Sequence, residues 1–219
     1  MSAVTRAAWA CAALAVAFVL EGILVTTGTT RTADRQVAMA MQHLWSQGVG
    51  VGLQVIAVLG GPELCLAIAI GLFVYLRRAG FRAESWALLA LPAAMLVEAI
   101  YKHYVFQPPP SFGHPDGWSL APLIEVHSRA MLANSFPSGH VLRAVFVYGL
   151  LAFVVNRLAP PGVVQRLAVP AAIVVIACVA FSRLYLEVHW QSDVVGGLLL
   201  GGLALAAAIT WLEQPWRST

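Results

Sequence analysis

Long apolar runs with almost no charged residues dominate this chain and restrict what it can fold into. Of its 219 residues, 60% are hydrophobic and only 11% are charged, whereas an ordinary soluble domain has about 25% charged residues. Because a membrane-spanning helix needs about 20 apolar residues, the chain has room for about five to seven of them. The composition therefore predicts an integral membrane protein and disfavours a soluble enzyme, a disordered chain and a disulfide-rich secreted scaffold.

The apolar runs predict six membrane-spanning helices, at residues 7–25, 62–76, 85–104, 140–155, 167–181 and 194–211. Residues 34–59 are amphipathic and predict an interfacial or re-entrant helix, although residues 51–59 also fit the start of a bent span. A signal peptide is the alternative for the first run, but its length and Glu21 within it favour a retained span. We therefore expect one all-α domain over residues 1–219, a membrane bundle of about six transmembrane helices with an additional interfacial helix.

Basic residues in the loops predict the orientation of the bundle. If both termini are cytoplasmic, the cytoplasmic side carries Arg6, Arg77, Arg78, Arg82, Arg157, Arg166 and Arg217. The opposite side then carries Arg31, Arg35, Lys102, Arg129 and Arg183. This distribution favours both termini on the cytoplasmic side. The expected location is the plasma (inner) membrane.

The cysteines argue against a disulfide or a metal site, and the scattered basic residues argue against a nucleic-acid partner. Cys11, Cys65 and Cys178 are odd in number and each lies in an apolar run, which predicts buried thiols rather than a disulfide or a metal site. The net charge is only +3 and the basic residues form no stripe, so we expect no nucleic-acid partner.

Three polar clusters lie at the predicted extracytoplasmic ends of the spans, where ionisable groups are costly unless they are paired or functional. Lys102, the only lysine, ends the third span. The fourth span opens with residues 137–140, Pro-Ser-Gly-His, and the third cluster contains Arg183, His189 and Asp193. All three clusters are therefore expected to meet on one side of the membrane.

Each cluster also has a structural interpretation when it is taken alone. These interpretations are a helix N-cap at Ser138, an i,i+4 ion pair between Glu98 and Lys102, a snorkelling side chain at Arg183, and a structural hydrogen bond between His189 and Asp193 on one helix face.

Together, the clusters supply what phosphoryl transfer needs: cations and N–H donors, an in-line nucleophile and an acid for the leaving oxygen. His189, oriented by Asp193, fits the nucleophile, and His140 fits the acid. No metal-ligand spacing is present, which favours covalent histidine chemistry over a metal-activated water.

Two of the clusters carry the signature of a known family. Residues 137–140 read Pro-Ser-Gly-His, and Ser182-Arg183 is followed by five residues, His189, three residues and Asp193. In these motifs the chain resembles the type 2 phosphatidic acid phosphatases, or lipid phosphate phosphatases, which share their site with vanadium haloperoxidases. A haloperoxidase is disfavoured, since most of this chain is predicted to lie in a bilayer.

The family's first motif, Lys followed by six residues and Arg-Pro, is only partly kept. Counting from Lys102, the arginine position holds Pro109, and Pro110 follows. Candidates to replace the missing phosphate ligand are Arg143, His103 and Arg129.

The resemblance implies a role for each site residue. His189 attacks phosphorus to form a phosphohistidine while Asp193 holds its ring, and His140 protonates the leaving group. The phosphate oxygens are bound by Lys102, Ser138, Gly139 and Arg183. No metal or other cofactor is needed. The implied substrate is a lipid phosphate within the membrane lipids, of the phosphatidate or polyprenyl (di)phosphate class.

Two other functions stay open. A phosphotransferase would use the same site with a hydroxyl acceptor in place of water. A transporter or non-enzymatic scaffold would use the intramembrane acids Glu21, Glu63 and Glu98. The linker at residues 105–137 is expected to shape access to the site.

Overall fold

The computed structural model describes residues 3–110 and 134–213, with side chains from residue 7 onward, and these ranges are built from helices. The helices are α1 (Ala3–Thr27), α2 (Arg31–His43), α3 (Gln47–Ala57), α4 (Pro62–Arg78), α5 (Ala90–Tyr104), α6 (Gly139–Leu158), α7 (Val163–Tyr185) and α8 (Gln191–Leu212). Short 3-10 turns at Val58–Gly60 and Glu84–Leu89 lead into α4 and α5.

Six helical stretches within the described ranges are long and apolar enough to cross a membrane. They are Ala7–Thr27, Gln47–Arg78, Glu84–Tyr104, Gly139–Leu158, Val163–Tyr185 and Gln191–Leu212. The prediction of an all-α membrane bundle with about six spans is confirmed. That residues 1–219 form a single domain stays a prediction.

The prediction of one continuous helix at residues 34–59 is wrong, because the chain forms two helices there, α2 and α3. The break lies at Ser46, whose backbone is extended. The hydroxyl of Tyr185 accepts a hydrogen bond from the Ser46 N–H (2.8 Å) and donates one to the Leu44 carbonyl (2.9 Å). A side chain inserted into the backbone ladder in this way ends a helix. Helix α2 is left as a separate amphipathic helix, and α3 begins the second span.

The second span, Gln47–Arg78, is bent between α3 and α4, as residues 51–59 had suggested. Pro62 starts α4, so the backbone of the bend leaves carbonyls without intrahelical partners. Tyr148 donates to the Leu59 carbonyl (2.9 Å), and Arg143 Nε donates to the Gly60 carbonyl (3.2 Å). Both donors lie on α6, which therefore supplies the hydrogen bonds that an apolar interior requires.

Helix α6 is the most buried span and packs against both α7 and α8. It contributes Leu142, Phe146 and Leu150 to the core, and all three are almost fully buried. Helix α8 approaches it closely through glycine: a Cβ at Gly197 would lie 2.6 Å from the Ser138 carbonyl oxygen. This close approach brings the first turns of α6 and α8 together.

The prediction of three buried thiols is correct for one cysteine. All three are free, but only Cys65 is buried, whereas Cys11 and Cys178 are partly exposed. They lie on spans whose side chains face outward from the bundle more often than those of α6.

Candidate active site

The three polar clusters meet at one end of the bundle. Lys102 is in the last turn of α5, Arg183 is in the last turn of α7, and His189 lies in the turn before α8. The Ser138 N–H donates to the Asp193 carbonyl oxygen (2.9 Å), which joins the start of α6 to the start of α8. The structure thus brings the sequence-predicted residues together, while their catalytic roles stay predictions.

His189 and Asp193 form a pair, but not on one helix face as the sequence suggested. His189 precedes α8, and Asp193 lies in its first turn, fully buried. The Asp193 Oδ2 atom is 3.2 Å from His189 Nδ1 and accepts the Trp190 N–H at 2.8 Å. Since a carboxylate oxygen accepts hydrogen bonds, Nδ1 carries the proton and Nε2 keeps its lone pair.

The surroundings of His189 favour its neutral form. Burial lowers the pKa of His189 below its usual value, and the positive charges of Lys102 and Arg183 lower it further. The hydrogen bond and negative charge of Asp193 oppose this shift without cancelling it. At neutral pH the ring is therefore the free base that a nucleophile must be.

Ser138 occupies the N-cap position of α6 without acting as a side-chain cap. Its side chain makes no capping hydrogen bond, and its Oγ atom is buried without a partner among the residues that the structure describes. An unsatisfied buried hydroxyl costs about 1–3 kcal/mol. The N-cap interpretation is therefore wrong for this side chain. A hydroxyl held at a helix N-terminus is placed to donate to an anion.

Glu98 is a member of this cluster that the site assignment from sequence missed. Its Oε1 atom is 2.9 Å from Lys102 Nζ, which confirms the i,i+4 ion pair, and its Oε2 atom is 3.7 Å from Arg143 Nη1. The carboxylate also lies directly against Gly139, where any Cβ would collide with it. Glu98 therefore links the end of α5 to the first turns of α6. The i,i+4 spacing was visible in the sequence, but the contact with Arg143 was not.

The buried arginines differ from the other basic candidates. Arg183 is only 3% exposed, which excludes the snorkelling interpretation. Arg143 is also buried, one turn after His140. By contrast, His103 is exposed and packs edge-on against Tyr104. Arg129 lies outside the described residues, as does most of the linker.

The first part of the linker, residues 105–110, forms a segment that we call the strap. Gln107 anchors it to the site: its Nε2 atom donates to Ser192 Oγ (2.9 Å) and to Asp193 Oδ1 (3.1 Å). Trp190 Nε1 donates to the Pro108 carbonyl (2.8 Å). Pro109, at the arginine position of the first motif, is exposed. Sequence reasoning missed Gln107 because no motif or local spacing marks it.

The acids proposed for a transporter do not share one site. Glu63 is exposed on α4, Glu21 is half-buried on α1, and Glu98 belongs to the cluster around Lys102. This arrangement gives no support to an ion pathway through the three side chains.

Comparison with known proteins identifies the family. A profile of the PAP2 superfamily matches residues 83–217, the part of the chain that holds all three clusters. The chain belongs to the PAP2 superfamily. This confirms the resemblance inferred from the motifs at residues 137–140 and 182–193.

Individual relatives of this PAP2 protein agree. Phosphatidylglycerophosphatase B of Bacillus subtilis (strain 168) is 28% identical over 196 residues, 84% of this chain and 85% of that protein. The protein named Putative undecaprenyl-diphosphatase YbjG of Escherichia coli (strain K12) is 38% identical over 79 residues, 36% of this chain and 35% of that one. Because these relatives are phosphatases, they confirm the predicted enzyme class, a phosphoric ester hydrolase.

A solved structure shares the fold. The crystal structure of the first transmembrane PAP2 type phosphatidylglycerolphosphate phosphatase from Bacillus subtilis superposes with a TM-score of 0.75 at 23% identity. The match covers 96% of this chain and 100% of that one. Together with the six apolar spans, it confirms that this PAP2 protein is an integral membrane protein.

Proposed function

We propose that this PAP2 protein is a metal-independent membrane lipid phosphatase that works through a phosphohistidine. The observation that carries the proposal is the contact of His189 Nδ1 with the buried Asp193 carboxylate, close to the positive charges of Lys102 and Arg183. A nucleophile surrounded by anion-binding groups fits a phosphate ester better than any uncharged substrate. The substrate is a phosphate monoester or diphosphate headgroup of the phosphatidate or polyprenyl (di)phosphate class.

The first step forms the phosphoenzyme. The Nε2 lone pair of His189 attacks phosphorus, and the bond from phosphorus to the leaving oxygen breaks as His140 gives that oxygen a proton. The non-bridging oxygens are bound by Lys102, Arg183 and the donors of the Ser138-Gly139 turn.

The second step returns the enzyme to its starting state. His140, now without its proton, accepts one from a water molecule as that water attacks the phosphohistidine. The bond from phosphorus to Nε2 breaks and inorganic phosphate leaves. If a lipid or sugar hydroxyl replaced the water, the same site would act as a phosphotransferase.

The position of the site fits a lipid substrate. It lies where the spans end, so a headgroup can enter while its chains stay among the membrane lipids. The names of the relatives, a phosphatidylglycerophosphatase and an undecaprenyl-diphosphatase, support the two substrate classes. The loop charges support an extracytoplasmic site and cytoplasmic termini, and the membrane we propose is the plasma membrane.

Phosphate release from a panel of lipid phosphates tests the proposal. Purified protein in detergent is expected to release phosphate from at least one of phosphatidate, phosphatidylglycerophosphate, polyprenyl monophosphate and polyprenyl diphosphate, in the presence of EDTA. Among the described residues no group of three or more His, Cys, Asp or Glu is arranged to hold a metal ion. Vanadate should inhibit, since it adopts the five-coordinate geometry of the transferring phosphoryl group.

Two results of this assay would change the conclusion. Loss of activity in EDTA, restored by a divalent cation, would contradict the metal-independent mechanism. Transfer of the phosphoryl group to an added alcohol, with little free phosphate, would favour the phosphotransferase instead.

Arg143 is our candidate for the charge that the first motif lacks at Pro109. It is buried one turn after His140, at the end of the bundle that holds the site. Its Nε and Nη1 atoms are held by Gly60 and Glu98, which fixes the charge in place. A fixed cation behind the phosphate site strengthens substrate binding without a covalent role.

Substitution Arg143→Gln tests this role. Glutamine keeps an N–H donor near the Gly60 carbonyl but removes the charge, so we expect KM to rise about tenfold with a smaller change in kcat. Arg157→Gln, in the last turn of the same helix at the opposite end, is the matched control. Equal KM values for the two variants, measured by phosphate release, would show that Arg143 is not the compensating cation.

A further inference from the structure

A chain of hydrogen bonds, buried at Asp34 and part-buried at Gln107, connects the amphipathic helix α2 to the His189–Asp193 pair. It runs from Asp34 through Ser192 and Gln107. We propose that Asp34 and Gln107 are positioning residues, which fix the ring tautomer of His189 by setting the direction of every hydrogen bond in the chain. The kinetic part of this inference rests on the proposed function, whereas the tautomer itself does not.

Asp34 sets the direction at the start of the chain. It is only 4% exposed, and its Oδ1 atom accepts the Ser192 N–H at 2.9 Å. Its Oδ2 atom is 2.9 Å from Ser192 Oγ. Since a carboxylate has only acceptors, the Ser192 hydroxyl proton points toward Asp34. The lone pairs of Ser192 Oγ are then left to accept a hydrogen bond from the other side.

Gln107 stands on that other side, and its amide has only one workable orientation. The same Nε2 atom is within reach of Ser192 Oγ (2.9 Å) and of Asp193 Oδ1 (3.1 Å), both of which are acceptors here. The reversed amide would place its carbonyl oxygen against two acceptors, so both hydrogen bonds of the Gln107 amide would be lost. The donor orientation of Gln107 therefore satisfies both Asp193, which can only accept, and Ser192, whose proton Asp34 draws away from Gln107.

The backbone of the strap holds Gln107 in place for this contact. Its N–H donates to Asn134 Oδ1 (3.1 Å), and its carbonyl oxygen accepts from both the N–H (2.7 Å) and the hydroxyl (2.9 Å) of Ser135. Asn134 in turn donates to the Lys102 carbonyl (2.8 Å). The strap has Pro109 where the family motif has an arginine. Two residues earlier, it holds the side-chain amide of Gln107 in a fixed position at the site.

The consequence reaches His189 through the two oxygens of Asp193. Gln107 occupies Oδ1, so the carboxylate is held with Oδ2 toward the Trp190 N–H and His189 Nδ1. In this orientation the neutral ring carries its proton on Nδ1 and keeps Nε2 free for attack. Each hydrogen bond in the chain has a defined donor and acceptor. The chain of hydrogen bonds begins at the carboxylate of Asp34, which lies outside the catalytic motifs.

Asp34 also caps the first turn of α8 through the Ser192 N–H, so a structural role has to be separated from positioning. Asp34→Asn does this, because asparagine keeps an oxygen for the Ser192 N–H but presents an NH₂ group to Ser192 Oγ. That donor occupies one of the two lone pairs of Ser192 Oγ and frees the serine proton, which can then turn toward Gln107. Gln107→Met removes the amide with little change in length.

The experiment combines ring-nitrogen NMR of histidine-labelled protein with steady-state kinetics. His189 is assigned by comparison with His189→Gln, and spectra are recorded at about pH 8, above the ordinary histidine pKa. The unsubstituted protein should show the proton on Nδ1 alone. Asp34→Asn and Gln107→Met should each populate the other tautomer and lower kcat about tenfold, with KM changed by less than about twofold.

The double variant shows whether Asp34 acts through Gln107. Because the two belong to one chain, Asp34→Asn should cost nothing further in the Gln107→Met background. Gln165→Met is the matched control: Gln165 Nε2 also donates a side-chain hydrogen bond, to the Asn156 carbonyl (2.9 Å), but at the opposite end of the bundle. Effects that multiply in the double variant would overturn the connection between the two residues.

If Asp34→Asn fails to fold, Ser192→Ala tests the same connection between Asp34 and Gln107. It removes the hydroxyl and keeps the N–H bond to Asp34, and Ser85→Ala, at a buried serine hydroxyl bonded to the Arg82 carbonyl, is its control. An unchanged His189 tautomer in these variants and Gln107→Met overturns the proposal. A protein that releases no phosphate from any lipid but shows the expected tautomer changes would instead contradict the proposed function alone.

Discussion

Replacing His189 with alanine is expected to lower phosphate release by at least about four orders of magnitude, because the variant loses the atom that forms the covalent intermediate. The rest of the phosphate site stays in place, since His189 lies in a turn before α8 rather than within the packed spans. Substrate binding should therefore change much less than kcat. Phosphate release in EDTA measures the first effect, and vanadate protection against thermal unfolding measures the second.

His103→Ala is the matched control for this variant. His103 lies at the same end of the bundle but is exposed against Tyr104, so its loss should leave the rate unchanged. Brief exposure of the unsubstituted protein to a labelled lipid phosphate should also give an acid-labile phosphoprotein that His189→Ala does not form. Near-normal turnover in a folded His189→Ala protein would show that the nucleophile is a different group.

Replacing Gly197 with alanine is expected to lower activity about a hundredfold, although this residue contacts no substrate. A Cβ at Gly197 would lie 2.6 Å from the Ser138 carbonyl oxygen and 3.0 Å from the Val141 Cβ. Because the nearest atom is backbone, α8 has to move away from α6. That movement separates Ser138 from Asp193, whose backbones share a hydrogen bond of 2.9 Å. Displacing catalytic groups by about 1 Å is enough for a loss of this size.

Gly202→Ala, on the same helix, provides the control. Its Cβ would meet only Leu14, at 3.7 Å, an ordinary van der Waals distance. The substitution should keep full activity and stabilise the helix by about 0.5–1 kcal/mol, because glycine is a poor helix former. Thermal unfolding and phosphate release are measured for both variants. Equal activities would show that the contact at Gly197 does not set the spacing of the two motifs.

The sequence was sufficient to predict the spans, the family motifs and one ion pair, because each of these depends only on residues close together along the chain. Apolar length identifies a span without reference to the rest of the molecule, and the fixed spacings in residues 137–140 and 182–193 carry the family resemblance. The ion pair of Glu98 and Lys102 was visible for the same reason, since it needs only one turn of helix.

Contacts between distant residues could not be predicted in this way. Ser46 contacts the Tyr185 hydroxyl 139 residues later, and that contact lies at the break between the two helices of residues 34–59. Asp34 reaches Ser192 across 158 residues, and Gln107 reaches Asp193 across 86. Nothing in the local pattern around Asp34 or Gln107 distinguishes either from an ordinary surface residue. Their positions follow only from how α2 and the strap pack against α8.

The bend in the second span limits how this chain can be recombined with a relative. The carbonyls of Leu59 and Gly60 take their hydrogen bonds from Tyr148 and Arg143, so the span is complete only when α6 is present. A straight replacement for residues 47–78 would leave Arg143 with one carbonyl fewer to bind. A foreign α6 would leave the Gly60 carbonyl without its Arg143 donor and the Leu59 carbonyl with only the weak thiol donor of Cys65, at 3.3 Å. A chimaera has to exchange the two segments together. The bend and the helix that carries His140 are one transferable unit.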